Sequence, residues 1–235
     1  MSEVEKIDEN LSLALRIFKE NKIPYWICHG TLLGIIRDKK LMDWDHDVDI
    51  AIWEKTISKA KLTEIMISNN FTVKPQFFVG DGLTCFHRNG GKQVDIHYYK
   101  TTFNKIENKE MAVFFPNYIP KNIFLKFVDA ISMANIYEGN FKYLIKILII
   151  FQPIFKFIKA KLVKKNMFYN AIGYCEPLEF LNEFKEIIFS GTKLTIPHKP
   201  EEYLQYIYGK NWKVPDKNYH YANEHVNDPT TLTRS

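Results

Sequence analysis

This chain of 235 residues is poor in the features that would carry it out of the cell or across a membrane. It has only three cysteines, Cys28, Cys85 and Cys175, an odd number at unrelated spacings with no Cys-x-x-Cys pair, which argues against a disulfide framework, a redox dithiol or a zinc motif of that kind. The thiols are expected to be reduced, as in a cytoplasmic protein. The N-terminus, MSEVEKIDENLSLALRIF, lacks the basic start and apolar core of a cleaved signal. Long hydrophobic runs are missing too. Within FKYLIKILIIFQPIFKFIKAKLVKK only nine consecutive residues, Ile147 to Phe155, are uncharged, and Pro153 lies among them. A spanning helix needs roughly 20. Internal repeats and low-complexity tracts are absent.

Acids are missing from one segment. Between Lys142 and Lys165 there are seven lysines and no Asp or Glu, so this stretch carries more positive charge than the whole chain's net +5 and the remainder is slightly acidic. A basic, aromatic-rich helix pair broken at Pro153 suits the anionic inner face of the cytoplasmic membrane. A helical hairpin that closes a core and leaves its lysines in water suits it as well. The lysines alternate with large apolar residues, which argues against nucleic acid as the partner.

What is present, 46% hydrophobic and 15% aromatic residues, is enough for a globular core. Val4, Ile7, Leu11, Ala14, Leu15 and Phe18 fall at helical spacing. IPYWICHG reads as a short strand stopped at Gly30, and TLLGIIRDK as a helix capped by Thr31. VDIAIW is a strand and KTISKAKLTEIMISNN an amphipathic helix; FTVKPQFF, LTCFHR and QVDIHYYK are strands between glycine turns. The fold class is therefore α+β, a small mixed sheet flanked by helices, followed by a helical, basic C-terminal half. Three regions are expected: a core over 1–120, the basic helical region over 121–180, and a closing segment over 181–235 whose short helix Gly209 ends.

Aspartates at 43, 45, 47 and 49 crowd the mouth of the strand VDIAIW. Side chains two apart share a face, so Asp47 and Asp49 project together while Val48 and Ile50 enter the core. Like charges about 4 Å apart repel by about 4 kcal/mol at an effective dielectric near 20. A cation must offset this, and Mg²⁺ (or Mn²⁺) prefers such oxygen ligands. Asp45 continues the alternation. Asp95, in QVDIHYY, completes the set if its strand lies alongside, and can hold metal or take a proton from an attacking hydroxyl, with His97 on the same face as the second candidate. An EF-hand fails, because its sixth position would be Ile50 and its twelfth Thr56. Gly30 and Thr31 at a helix start, with Arg37 further on, form a candidate phosphate seat. Trp44 beside the cluster and Tyr208 and Trp212 in the tail are candidates for a donor pocket, with core packing as the plainer role.

These residues together resemble the LicD/fukutin-related branch of the nucleotidyltransferase superfamily, the fold of DNA polymerase β-like enzymes. GTLLGIIR and WDHDVDI match the branch's two motifs, and Gly30-Thr31, Asp47-Val48-Asp49 and Asp95 match the superfamily signature. His29 and His46 occupy positions that are often Gly and Asp in the branch, and Asp43 one that is usually Pro. The closing segment is similar as well, with Pro197, Tyr203, Leu204, Tyr208, Gly209, Trp212 and Pro215 in register. The resemblance implies metal-dependent transfer of a phospho-alcohol, phosphocholine-like or an alditol phosphate, from a CDP-linked donor to a sugar hydroxyl of a glycan or glycolipid, with release of CMP. Asp47, Asp49 and Asp95 would be catalytic, and Asp45 a further metal ligand. Two rival readings stand beside it: a nucleotidyltransferase that releases pyrophosphate from an NTP, and an inactive membrane-associated scaffold.

Overall fold

The structure is a computed structural model that describes residues 7–73, 82–104, 108–135, 137, 139–165 and 167–216. Val4 and residues 74–81, which include most of the strand expected at FTVKPQFF, lie outside these. In chain order the elements are α1 (Glu9–Glu20), β1 (Trp26–Ile27), α2 (His29–Leu33) running into a π-helical turn (Gly34–Asp38), β2 (Asp47–Trp53), α3 (Lys59–Ser68), β3 (Thr72–Val73), β4 (Leu83–His87), β5 (Gln93–Asn104) and β6 (Lys109–Pro120). There follow α4 (Ile123–Ser132), α5 (Lys142–Ile147), a 3₁₀ turn (Leu148–Phe151), α6 (Gln152–Lys164), β7 (Tyr169–Pro177), β8 (Phe184–Phe189), β9 (Thr192–Pro197) and α7 (Pro200–Tyr208).

The sheet runs β1-β2-β5-β4-β3, with β6 pairing both β5 and β7. β2 and β5 are parallel, from Asp47 opposite Gln93 to Trp53 opposite Tyr99. β1, β4 and β6 join their neighbours antiparallel. Covered strands read as apolar runs, and Val48 to Ile52 are accordingly buried apart from the functional edge. Trp26, Phe18, Tyr99, Phe71 and Phe86 fill the core. α7 starts on Pro200 and stops at Gly209, whose φ of 80° few other residues adopt. It sends Tyr203, Leu204 and Ile207 into the same core, followed by Trp212. β6 contains Pro116 and Pro120, and proline argues against a strand when only the sequence is read, while β7 is a strand within the 121–180 stretch expected to be helical.

By compactness the chain divides into residues 1–116 with 173–235, and 117–172. Residues 173–180 fall with the first unit because Cys175 packs on Met111 and Val113. The second unit, by itself, has a small core: Leu125 and Val128 meet Phe168, and Ala130, Ile131 and Ala134 meet Ile145. Asp129 pairs with Lys159 at 2.8 Å and accepts from the Tyr169 hydroxyl at 2.7 Å. Pro153 sits in the first turn of α6, where proline is tolerated, so the break expected there is a 3₁₀ turn leading into a fresh helix.

α1 also positions a loop. Asp8 caps it, accepting from the N–H groups of Asn10 and Leu11. The other carboxylate oxygen accepts from the Lys92 N–H at 2.9 Å. The buried Asn10 amide donates to the carbonyls of Arg88 at 2.7 Å and Lys92 at 2.9 Å. Removing it strands two carbonyls, each costing about 1–3 kcal/mol. Asn10→Ala should therefore lower the unfolding free energy by about 2 kcal/mol in urea titration, whereas Arg16→Ala, on the exposed face, should change it by less than about 0.5 kcal/mol.

Candidate active site

Strands about 4.8 Å apart in the β2–β5 register bring the carboxylates together: Asp49 lies opposite Asp95, one pleat beyond Asp47. Asp45 reaches the same place from the loop before β2. That loop folds back tightly, since a Cβ on Gly34 would lie 2.7 Å from the Lys40 carbonyl oxygen. Gly30 makes the return possible at the other end: a Cβ there would be 2.7 Å from Asp45 Oδ2 and 3.5 Å from Asp49 Oδ2.

Asp49 is the anchored member. Its Oδ2 accepts from the Thr31 N–H at 3.2 Å and the Thr31 hydroxyl at 3.3 Å, and the same hydroxyl accepts from the Asp49 N–H at 2.7 Å. Oδ1 lies 3.0 Å from His97 Nε2. Burial would raise the Asp49 pKa, but the hydrogen bond and charge of His97, aided by His29 and Thr31, outweigh it and hold the carboxyl below its ordinary range. Burial likewise works against the His97 cation, and the Asp49 hydrogen bond with the charges of Asp49, Asp95 and Asp47 prevails and raises it.

The other three are frustrated. Burial, a hydrogen bond to Asp47 and the charges of Asp47 and Asp49 push Asp45 up to about 8, against the pull of Lys92. Burial and Asp49 raise Asp47. Burial, opposed by His97 and reinforced by Asp49 and Asp47, lifts Asp95 to about 6. Oxygen donors this crowded fit a hard divalent cation, which would displace their protons and offset the repulsion.

The expected helix cap at Thr31 is corrected. α2 opens at His29 with Cys28 in the cap position, because the Thr31 hydroxyl is committed to Asp49. Arg37 is drawn to Asp38 by two bonds of 2.7 Å and to Met42 Sδ. Tyr208 packs at the edge of the core and Trp212 within it, and Trp44 is half-buried beside the cluster.

Lys92 and Glu176 are not among the candidates the sequence offers, and Cys28 and His29 stand there only as a reduced thiol and as a departure from the family motif. Lys92 Nζ donates to the carbonyls of Met42 and Asp45. The Gly90-Gly91 turn three residues before Asp95 was the available signal. His29 has φ of 45°, the left-handed region in which glycine is easiest, which explains why glycine commonly stands there. Its Nε2 lies 3.0 Å from the Tyr99 hydroxyl. Tyr99 and Tyr203 donate to buried Glu176 at 2.9 and 3.0 Å; Glu176 had no sequence signal at all.

Residues 22–130 match the model of the LicD/FKTN/FKRP nucleotidyltransferase domain. No curated protein matches the chain. Among solved structures, that of the lincosamide antibiotic adenylyltransferase LnuA bound to lincomycin is similar at 12% identity, covering 85% of this chain and 85% of that one, with a TM-score of 0.43.

The carboxylates tie stability to pH. A group whose folded pKa is raised keeps a proton that the unfolded chain has lost. Stability then drains as pH climbs from the unfolded to the folded value. For Asp45 that window reaches about 8 and for Asp95 about 6, and the raised His97 acts in the same direction. Asp49, depressed, keeps its contribution over this range and loses it only in acid. Without divalent cations the unfolding free energy should fall by on the order of 3 kcal/mol between about pH 5 and 8, a figure already discounted because Asp45 is half-exposed. Saturating Mg²⁺ should abolish the fall and Asp45→Asn should shrink it; a flat profile in EDTA would contradict this account of the cluster.

Proposed function

We propose, on the match of residues 22–130 to the LicD/FKTN/FKRP nucleotidyltransferase model, that the chain transfers a phospho-alcohol from a CDP-linked donor to a sugar hydroxyl of a glycan or glycolipid and releases CMP. The observation that carries this reading is the convergence of four carboxylates on one end of the β2–β5 pair, three of them raised by burial and by their neighbours' charge around an ionised Asp49.

Asp45, Asp47 and Asp95 hold Mg²⁺ in this reading, and Asp49 joins them while Thr31 and His97 fix its orientation. The bound ion supplies Lewis-acid neutralisation of the donor's phosphate oxygens. Asp95, which lies opposite Asp49, is the group placed to accept the proton of the acceptor hydroxyl, with His97 on the same face as the second candidate. Gly30 keeps the approach to the carboxylates open, because any side chain there meets Asp45. Lys92 secures the Asp45 loop through two carbonyls. Arg37, paired with Asp38, braces the turn and would have to leave that partner to reach phosphate.

Asp47→Asn should reduce CMP release from CDP-linked alditols or choline by about 100-fold or more with Mg²⁺ in excess. Unchanged turnover would sink the reading, and pyrophosphate from an NTP as the sole product would replace it with nucleotidyl transfer.

The acceptor side of the proposal includes a membrane. Among the described residues no helix is long and apolar enough to cross one. Yet Ile123, Phe124, Phe141, Tyr143, Ile147 and Ile150 are between 62% and 86% exposed, and α6 leaves every side chain at least partly in solvent. No acid lies between Lys142 and Lys165, although Lys159 pairs with Asp129 of α4, and a lysine is worth about 1 kcal/mol near an anionic surface. We expect flotation with anionic but not neutral vesicles, weakened by salt and lost when Ile147, Ile150 and Phe157 become serine; equal recovery of that variant would remove membrane docking.

A further inference from the structure

Behind the carboxylates lies a donor set of different chemistry. Cys28, His29 and His97 are 0%, 7% and 6% exposed, and one ligand atom of each lies within 4.8 Å of the other two. Both histidines have committed the same nitrogen. His97 Nε2 meets Asp49 Oδ1 at 3.0 Å, and His29 Nε2 meets the Tyr99 oxygen at 3.0 Å. Tyr99 gives its own proton to Glu176, so its oxygen accepts from His29 and leaves that ring a lone pair on Nδ1. His97 Nδ1 is buried and has no hydrogen-bond partner among the described residues.

A buried polar atom without a partner costs about 1–3 kcal/mol. A metal-ligating histidine almost always gives its other N–H to a carboxylate or similar acceptor, which fixes the tautomer and orients the ring. Asp49 and the Tyr99–Glu176 pair stand in those outer positions. Phe114 and Tyr174, with ring centroids 5.2 and 5.1 Å from that of His29, keep water away.

We propose that Cys28 Sγ, His29 Nδ1 and His97 Nδ1 bind a zinc ion, separate from the hard-cation site, that locks His97 and through it Asp49. Thiolate and imidazole favour zinc over magnesium. Bonds of about 2.3 Å to sulfur and 2.0–2.1 Å to nitrogen would take three positions of a tetrahedron, leaving the fourth to another ligand. Binding releases the Cys28 thiol proton and, from the protonated ring, the His97 Nδ1 proton to solvent, while His29 binds through the lone pair its Nδ1 already has. The proposal is independent of which group the chain transfers.

Cobalt(II) titrated into the full chain carrying Cys85→Ser and Cys175→Ala should give a thiolate-to-metal charge-transfer band, which Zn²⁺ displaces and Mg²⁺ does not. Metal analysis should find about one zinc per chain. Cys28→Ser should abolish the band, Tyr99→Phe should weaken zinc binding by about tenfold or more, and Asp47→Asn should leave it unchanged while abolishing transfer. Absence of the band from the Cys28-only chain would overturn the proposal even if Cys28→Ser failed to fold. So would its survival in Cys28→Ser, or its displacement by Mg²⁺.

Discussion

Parallel pairing of β2 with β5 sets Asp49 beside Asp95 and aims Asp47 and His97 at the same face. Side chains alternate along a strand, so a slip of one residue would turn the carboxylates into the core and Val48 and Ile50 out of it. Such a slip is prohibitive here, because the buried residues of both strands are packed on two sides. The apolar register that stabilises the sheet is thus the same register that assembles the site.

The four carboxylates are not equivalent, although the sequence makes them look so. Asp49 has two hydrogen-bonding partners and stays ionised. Burial, with the charge of Asp49 added to it, then raises Asp45, Asp47 and Asp95. One firmly anchored anion surrounded by three reluctant ones is an arrangement that a hard cation completes and that solvent protons only partly relieve. The strained backbone at His29 belongs to the same economy: a left-handed non-glycine residue costs on the order of 1–3 kcal/mol, and the Tyr99 hydrogen bond gives the ring a reason to be there.

The unit 117–172 presents the opposite balance. Its buried clusters are few, and large apolar side chains stand in solvent along α4, α5 and the turn into α6. Monomers rarely expose apolar patches beyond a few hundred Å² unless something covers them. The run from Lys142 to Lys165 carries no acid of its own, and one of its lysines, Lys159, pairs with Asp129 of α4.

The carboxylate cluster was legible because alternation along a strand is a short-range property: Asp47 and Asp49 share a face of β2 whatever else the chain does, whereas Asp45 reaches them from the preceding loop. The helical spacing of α1 and the stop at Gly209 were legible for the same local reason. The motif resemblance pointed to Asp95 as the third carboxylate, but only pairing of β5 with β2 puts it opposite Asp49. Tertiary structure alone decided that Thr31 serves Asp49 rather than a helix cap, that Arg37 pairs with Asp38, that Lys92 braces the Asp45 loop, and that Cys28, His29 and His97 meet. Each of those is a contact between segments distant in sequence or a choice among competing hydrogen-bond partners, and neither spacing nor composition carries the free-energy differences that settle such choices.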